Sequence, residues 1–130
     1  MNTLNLDQLA AQYAQKIIKD GGADIENLIT KTLGVLQEQG VYACLLFLFS
    51  RTNSKEKDLA GRARPHLYDL LKELPAFSQS EITDANALKF FADTVCNDLD
   101  TLLLVKELYE QTLIYARYGA KAAAKEEKSP

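Results

Sequence analysis

The side chains best placed to do chemistry are cations, and the most ordered of them fall between residues 55 and 66. If that segment is helical, Lys55, Arg62 and His66 stand at i, i+7 and i+11 on one ridge, while Lys57 and Arg64 stand seven apart on another flank. Positive ridges with no aromatic residue between them suit contact with phosphate better than the reading of bases. The plainer alternative is a solvated face partly neutralised by Glu56, Asp58 and Asp69. Arg51 just ahead of the segment, Lys16 and Lys19 near the start of the chain, and Arg117 and Lys121 near its end complete the candidate phosphate contacts.

The net charge of −3 would count against a polyanionic partner if it were evenly spread, and it is not. Residues 51 to 72 hold six Lys and Arg against three acids, whereas residues 73 to 110 hold eight acids against Lys89 and Lys106. The first 50 residues are mildly acidic and the last 20 mildly basic. The chain therefore has a basic segment and an acidic segment.

Other chemistry has little to build on. His66 is the one histidine, so neither a histidine-based triad nor a multi-histidine metal site fits in one chain. The six glycines never assemble into a phosphate-binding loop or a dinucleotide fingerprint. Asp93, Asp98 and Asp100 could pair, but acids at a helix end are usually solvated. Cys44 and Cys96 have no second cysteine at ligand or redox spacing and read as buried free thiols. The expectation is a protein without catalysis, metal or cofactor.

These cations need elements to position them. With 47% hydrophobic and 25% charged residues, 130 residues suit one globular domain, expected over residues 1–124 with a frayed tail over 125–130. Met1 to Leu9 has neither the positive charge nor the apolar stretch of a signal peptide, so the expected compartment is the cytoplasm. Leu6, Leu9, Ala10, Tyr13 and Ile17 make one stripe of a first helix over about 4 to 19. A second helix, capped by Asp24, buries Ile25, Leu28, Ile29, Thr32 and Leu36 and stops at Gly40.

The nine apolar residues from Val41 to Phe49 are too few to cross a bilayer and carry only one β-branched residue, Val41, so they read as a short buried helix paired with the second. Asn53 and Glu56 have capping-box-like spacing ahead of a fourth helix over about 55 to 74. Leu59, Ala63, Leu67, Leu70 and Leu74 keep their phase through Pro65, which predicts one kinked helix rather than two. A loop over 76 to 83 leads to Asp84 as the cap of a fifth helix over 85 to 96, and the last helix runs from about 99 to 124. The apolar residues of that helix cover more than one face, which points to an intermolecular surface including Leu104, Leu108, Tyr109, Tyr115 and Tyr118. The fold class expected is all-α, a single compact bundle of about six helices with a buried central helix and a long C-terminal helix.

Three stretches together resemble a known family. They are Tyr13-Ala14-Gln15-Lys16-Ile17, the run from Leu36 through Gly40 and the apolar helix to Ser50-Arg51, and Ile114-Tyr115-Ala116-Arg117-Tyr118-Gly119-Ala120. The pattern is similar to the small subunit of Cmr-type CRISPR complexes, the type III-B RNA-guided effectors. It departs from that family at Ile114, where a Trp is often seen, and in its more acidic balance.

The resemblance implies a non-catalytic helical protein that stacks head to tail with copies of itself beside other effector subunits. It would hold the target strand of a guide–target RNA duplex by its backbone, with cleavage left to a neighbouring subunit. On this reading the candidate RNA contacts are the nine cations named above, and base pairing with the guide supplies the specificity. A helical adaptor that binds another protein is the alternative, resting on the wide apolar surface of the last helix. Neither reading places the chain in a membrane.

Overall fold

The architecture was read from a computed structural model, which describes residues 5–19 and 21–128. Its helices are α1 (Leu6–Ile18), α2 (Gly22–Gln39), α3 (Val41–Phe49), α4 (Ser54–Lys72), α5 (Ala87–Asp93) and α6 (Leu99–Lys128), and no strand occurs among the described residues. Short 3-10 turns at Pro75–Phe77 and Val95–Asn97 flank α5. The all-α bundle predicted from periodicity is the observed fold. No helix among the described residues is long and apolar enough to cross a membrane.

Local chemistry accounts for most boundaries. The Asn5 side chain accepts the Gln8 amide at 3.0 Å and starts α1; residue 4, included in the predicted helix, lies outside the described residues. Helix α2 begins at Gly22, ahead of the expected cap, so Asp24 sits in the first turn, where a carboxylate complements the helix dipole. Gly40 ends α2 and starts α3 at a φ of 97°, a conformation that disfavours any residue with a Cβ. Asn53 caps α4 by accepting the amides of Lys55 and Glu56 at 2.9 and 3.3 Å.

Helix α4 runs through Pro65 without interruption. The missing proline N–H leaves one carbonyl of the preceding turn without its usual partner, a cost met here by the buried stripe of Leu59, Ala63, Leu67, Leu70 and Leu71. The predicted fifth helix is shorter than expected, because the chain tightens into a 3-10 turn after Asp93. Asp98 then caps α6, accepting both the amide and the hydroxyl of Thr101 at 3.0 and 2.6 Å. Helix α6 continues past the expected end at 124 to Lys128, and the last two residues of the expected tail lie outside the described residues.

One core joins all six helices. The long helix α6 lies against α1 on one side and α2 on the other. Gly119 lets α1 come close, since a Cβ there would stand 2.8 Å from Cδ1 of Ile18. The α2–α3 hairpin and α4 cover the rest, and Phe91 of α5 packs between the rings of Tyr68 and Tyr109. Val41, Cys44, Leu45 and Leu48 carry α3 into the core, while Tyr42 and Leu46 on its other side reach solvent. Burial of the Cys44 thiol pushes its pKa up to about 12, so it is an inert packing group, and both cysteines are free.

Candidate nucleic-acid interface

The C-terminal half of α1 lies against the middle of α4. Apolar positions at i, i+3 and i+4 turn Ile17 of α1, Ile25 of α2 and Leu59 of α4 inward, which leaves the flanking polar residues at the seam. The result is an open cleft of about 570 Å³, floored by those three residues and edged by Lys16, Lys19, Gly21, Arg62, His66 and Asp69. Among the described residues, three cations and an imidazole face one carboxylate, a net positive balance. A shallower groove lined by Gln12, Gln15, Lys16 and Lys19 continues from it along the outer face of α1.

The local electrostatics keep these cations available. Arg62 pairs with Asp58 at 2.9 Å across one turn of α4, but both side chains are more than half exposed, so an incoming phosphate competes easily with the pair. Lys16 Nζ lies 4.2 Å from the centroid of the Tyr13 ring, and it makes no ion pair among the described residues. Partial burial holds the His66 pKa below its ordinary value; Asp69 opposes that shift and Lys16 reinforces it. The imidazole is thus mainly neutral near pH 7.

The other predicted contacts divide into two groups. Lys55 lies 3.3 Å from Asp24 and Lys121 lies 3.9 Å from Glu26, both pairs at the surface, so the ridge inferred from sequence splits between the cleft and the α2–α4 edge. Lys57 is exposed and Arg117 half-buried, and neither makes an ion pair among the described residues. Arg51 and Arg64, by contrast, are committed to the fold. The Arg51 guanidinium stacks 3.6 Å from the Phe47 ring centroid, donates to the Phe47 carbonyl at 3.0 Å and approaches Glu56 at 3.6 Å.

Arg64 corrects the sequence reading most clearly. Its Nε and one terminal nitrogen both donate to Asp84 at 3.1 Å, its other terminal nitrogen donates to the Leu48 carbonyl at 3.0 Å, and its plane lies over Phe49. With 13% of its side chain exposed, it pins the 78–86 loop and the end of α3 to α4 rather than facing a ligand. Asp84, expected to cap a helix, is the other half of this pin. It also accepts from Tyr68 at 2.7 Å, and the hydrogen bonds from Arg64 and then Tyr68 hold its carboxyl below the usual range against its partial desolvation.

The expected partner surface also changes. Leu108 and Tyr109 are core residues, and the Tyr109 hydroxyl donates to the Leu67 carbonyl at 2.7 Å. The wide apolar arc of α6 is used inside the molecule because α1 and α2 flank it on both sides. Leu104 and Tyr115 are half-buried, with the Tyr115 hydroxyl donating to Asp7, and Tyr118 is 68% exposed. Leu99 and Leu103, part of the apolar set expected on this helix but not among its named contact residues, are 67% and 54% exposed at the start of α6. Their i, i+4 spacing beside Asp98, Asp100 and Glu107 was the available signal.

The described residues hold no cluster of histidine, cysteine or carboxylate side chains fit for a metal ion. The cleft can instead hold an anion by several weakly restrained donors. No family model matches the chain, and neither the curated proteins nor the solved structures contain a match to it.

Proposed function

We propose that this chain is a non-catalytic RNA-binding small subunit of a type III-B CRISPR effector, the family its sequence resembles. It holds the backbone of target RNA in the cleft between α1 and α4 while guide pairing supplies sequence recognition. The observation that carries this reading is the convergence of Lys16 and Lys19 from one helix with Arg62 and His66 from another on a single net-positive cleft. Other effector subunits and further copies of the chain are its proposed partners, with Tyr118 and the exposed start of α6 as contact surfaces.

The test is the salt dependence of RNA binding by the complex assembled with the chain. Replacing Lys16, Lys19 and Arg62 together by Glu is expected to weaken binding at low salt and to reduce the slope of log K against log salt by about 2, the loss of three phosphate contacts at about 0.7 to 0.9 each. An unchanged slope would show that RNA lies elsewhere.

One observation favours a second reading, a helical adaptor. Leu99 and Leu103 form an exposed apolar pair beside the acids Asp98, Asp100 and Glu107, which fits docking on a basic protein surface. A partner retained after nuclease treatment and lost on Leu99→Ser with Leu103→Ser, together with an indifferent cleft variant, would favour that role.

A further inference from the structure

We infer that the cleft between α1 and α4 takes one unpaired nucleotide of an RNA strand with its base turned inward, an inference that rests on the cleft being the RNA site. Backbone contact alone needs charge at the surface. It gives no use for a recess about 570 Å³ in volume with Ile17, Ile25 and Leu59 as its floor. That volume lies within the about 300 to 1,000 Å³ of small-ligand sites, and the lining has their character, an apolar base with a few convergent polar groups.

The polar groups match the parts of a nucleotide. His66 supplies a planar ring beside the floor, and Arg62 supplies a planar guanidinium, the two kinds of surface besides larger aromatics on which unpaired bases stack. A neutral imidazole suits this better than a charged one, and desolvation in the cleft favours the neutral form near pH 7. Asp69 is the one carboxylate lining the cleft among the described residues, and it accepts from an exocyclic amine at the base edge. Lys16 and Lys19 sit at the mouth, where they meet the phosphates on either side of the inserted unit. Gln12 and Gln15 extend the same face of α1 at i and i+3 before them, so the strand leaves along the groove that these four residues line.

The arrangement sets a preference between forms of RNA. A base in a duplex is stacked and paired, and turning it out opposes binding, so the cleft favours unpaired or already extruded nucleotides.

The experiment compares three probes of equal length with the full chain at low and moderate salt: single-stranded RNA, an abasic ribose-phosphate oligomer and an RNA duplex. The single strand is expected to bind about tenfold more tightly than the abasic oligomer, the contribution of one stacked base. His66→Ala is expected to abolish that difference, read as the ratio of single-strand to abasic affinity, in which any loss common to both probes cancels. Lys16→Glu with Lys19→Glu is expected to weaken all three probes. Equal binding of the single strand and the abasic oligomer, with a normal salt slope, overturns base insertion and leaves the backbone reading standing. Absence of salt-dependent binding to every probe overturns both.

Discussion

Two arginines, Arg51 ahead of α4 and Arg64 within it, differ in fate from Arg62, although all three are cations in the same basic segment. Arg51 and Arg64 each find a phenyl ring, a backbone carbonyl and a carboxylate within reach, from Phe47 with Glu56 and from Phe49 with Asp84. Among the described residues Arg62 finds only Asp58, on its own helix, and stays 57% exposed. Guanidinium groups saturate when several acceptors surround them on a fixed surface, and remain available when one mobile carboxylate is all they meet. Which guanidinium groups stay available in this molecule therefore follows from what neighbouring helices leave unsatisfied, and Arg62 at the α1–α4 cleft is one of them.

Both regions hang on α3, so the largest effect comes from breaking it. Leu45 is 2% exposed in the core. Leu45→Asp is expected to abolish the cooperative thermal transition, because an unpaired buried carboxylate costs several kcal/mol against a total stability of about 5 to 15 kcal/mol. A folded, soluble Leu45→Asp protein with an unchanged melting temperature would sink the placement of this helix in the core.

Next comes the saturated arginine. Arg64→Ala strands the Leu48 carbonyl and removes two of the three donors to Asp84, leaving the Tyr68 hydroxyl, and is expected to destabilise the fold by about 2 kcal/mol, a value kept low because Asp84 is half exposed. It should also change the response to acid. The Asp84 pKa is depressed in the fold, so its contribution to stability is present above the unfolded value of about 3.9 and is lost as pH falls through the lower folded value. Urea melts at neutral and acidic pH should show the variant losing less stability than the parent across that acid window. Equal losses would mean that Arg64 does not set the Asp84 pKa.

The same contrast explains what could be read before the structure. Helix existence and phase were legible where the information is local: the bounds of α3, the stop at Gly40, the Asn53 cap and the passage of α4 through Pro65 all follow from neighbours within a turn or two. Roles that depend on a distant segment were not. Arg64 and Asp84 are 20 residues apart, and nothing in the periodicity of either signals the other. Leu108 and Tyr109 look like a surplus apolar face until α1 and α2 are both laid against α6. Within the cleft, Lys16, Lys19 and Arg62 were named as cations from sequence, but their convergence and the floor of Ile17, Ile25 and Leu59 come from packing between helices.

Arg62 gives the smallest effect on stability and the sharpest test of the contrast. Its surface pair with Asp58 is worth about 0.5 kcal/mol at most, so Arg62→Ala should melt within a degree or two of the parent. Its effect should appear in binding, with the salt slope for RNA reduced by about 0.7 to 0.9 as one phosphate contact is lost. Arg64→Ala, measured on protein that is still folded, should keep the parental slope. If Arg62→Ala instead lowered stability as much as Arg64→Ala while leaving the slope untouched, the division between saturated and available guanidinium groups would be wrong. The α1–α4 cleft would then lose its claim to be the binding surface.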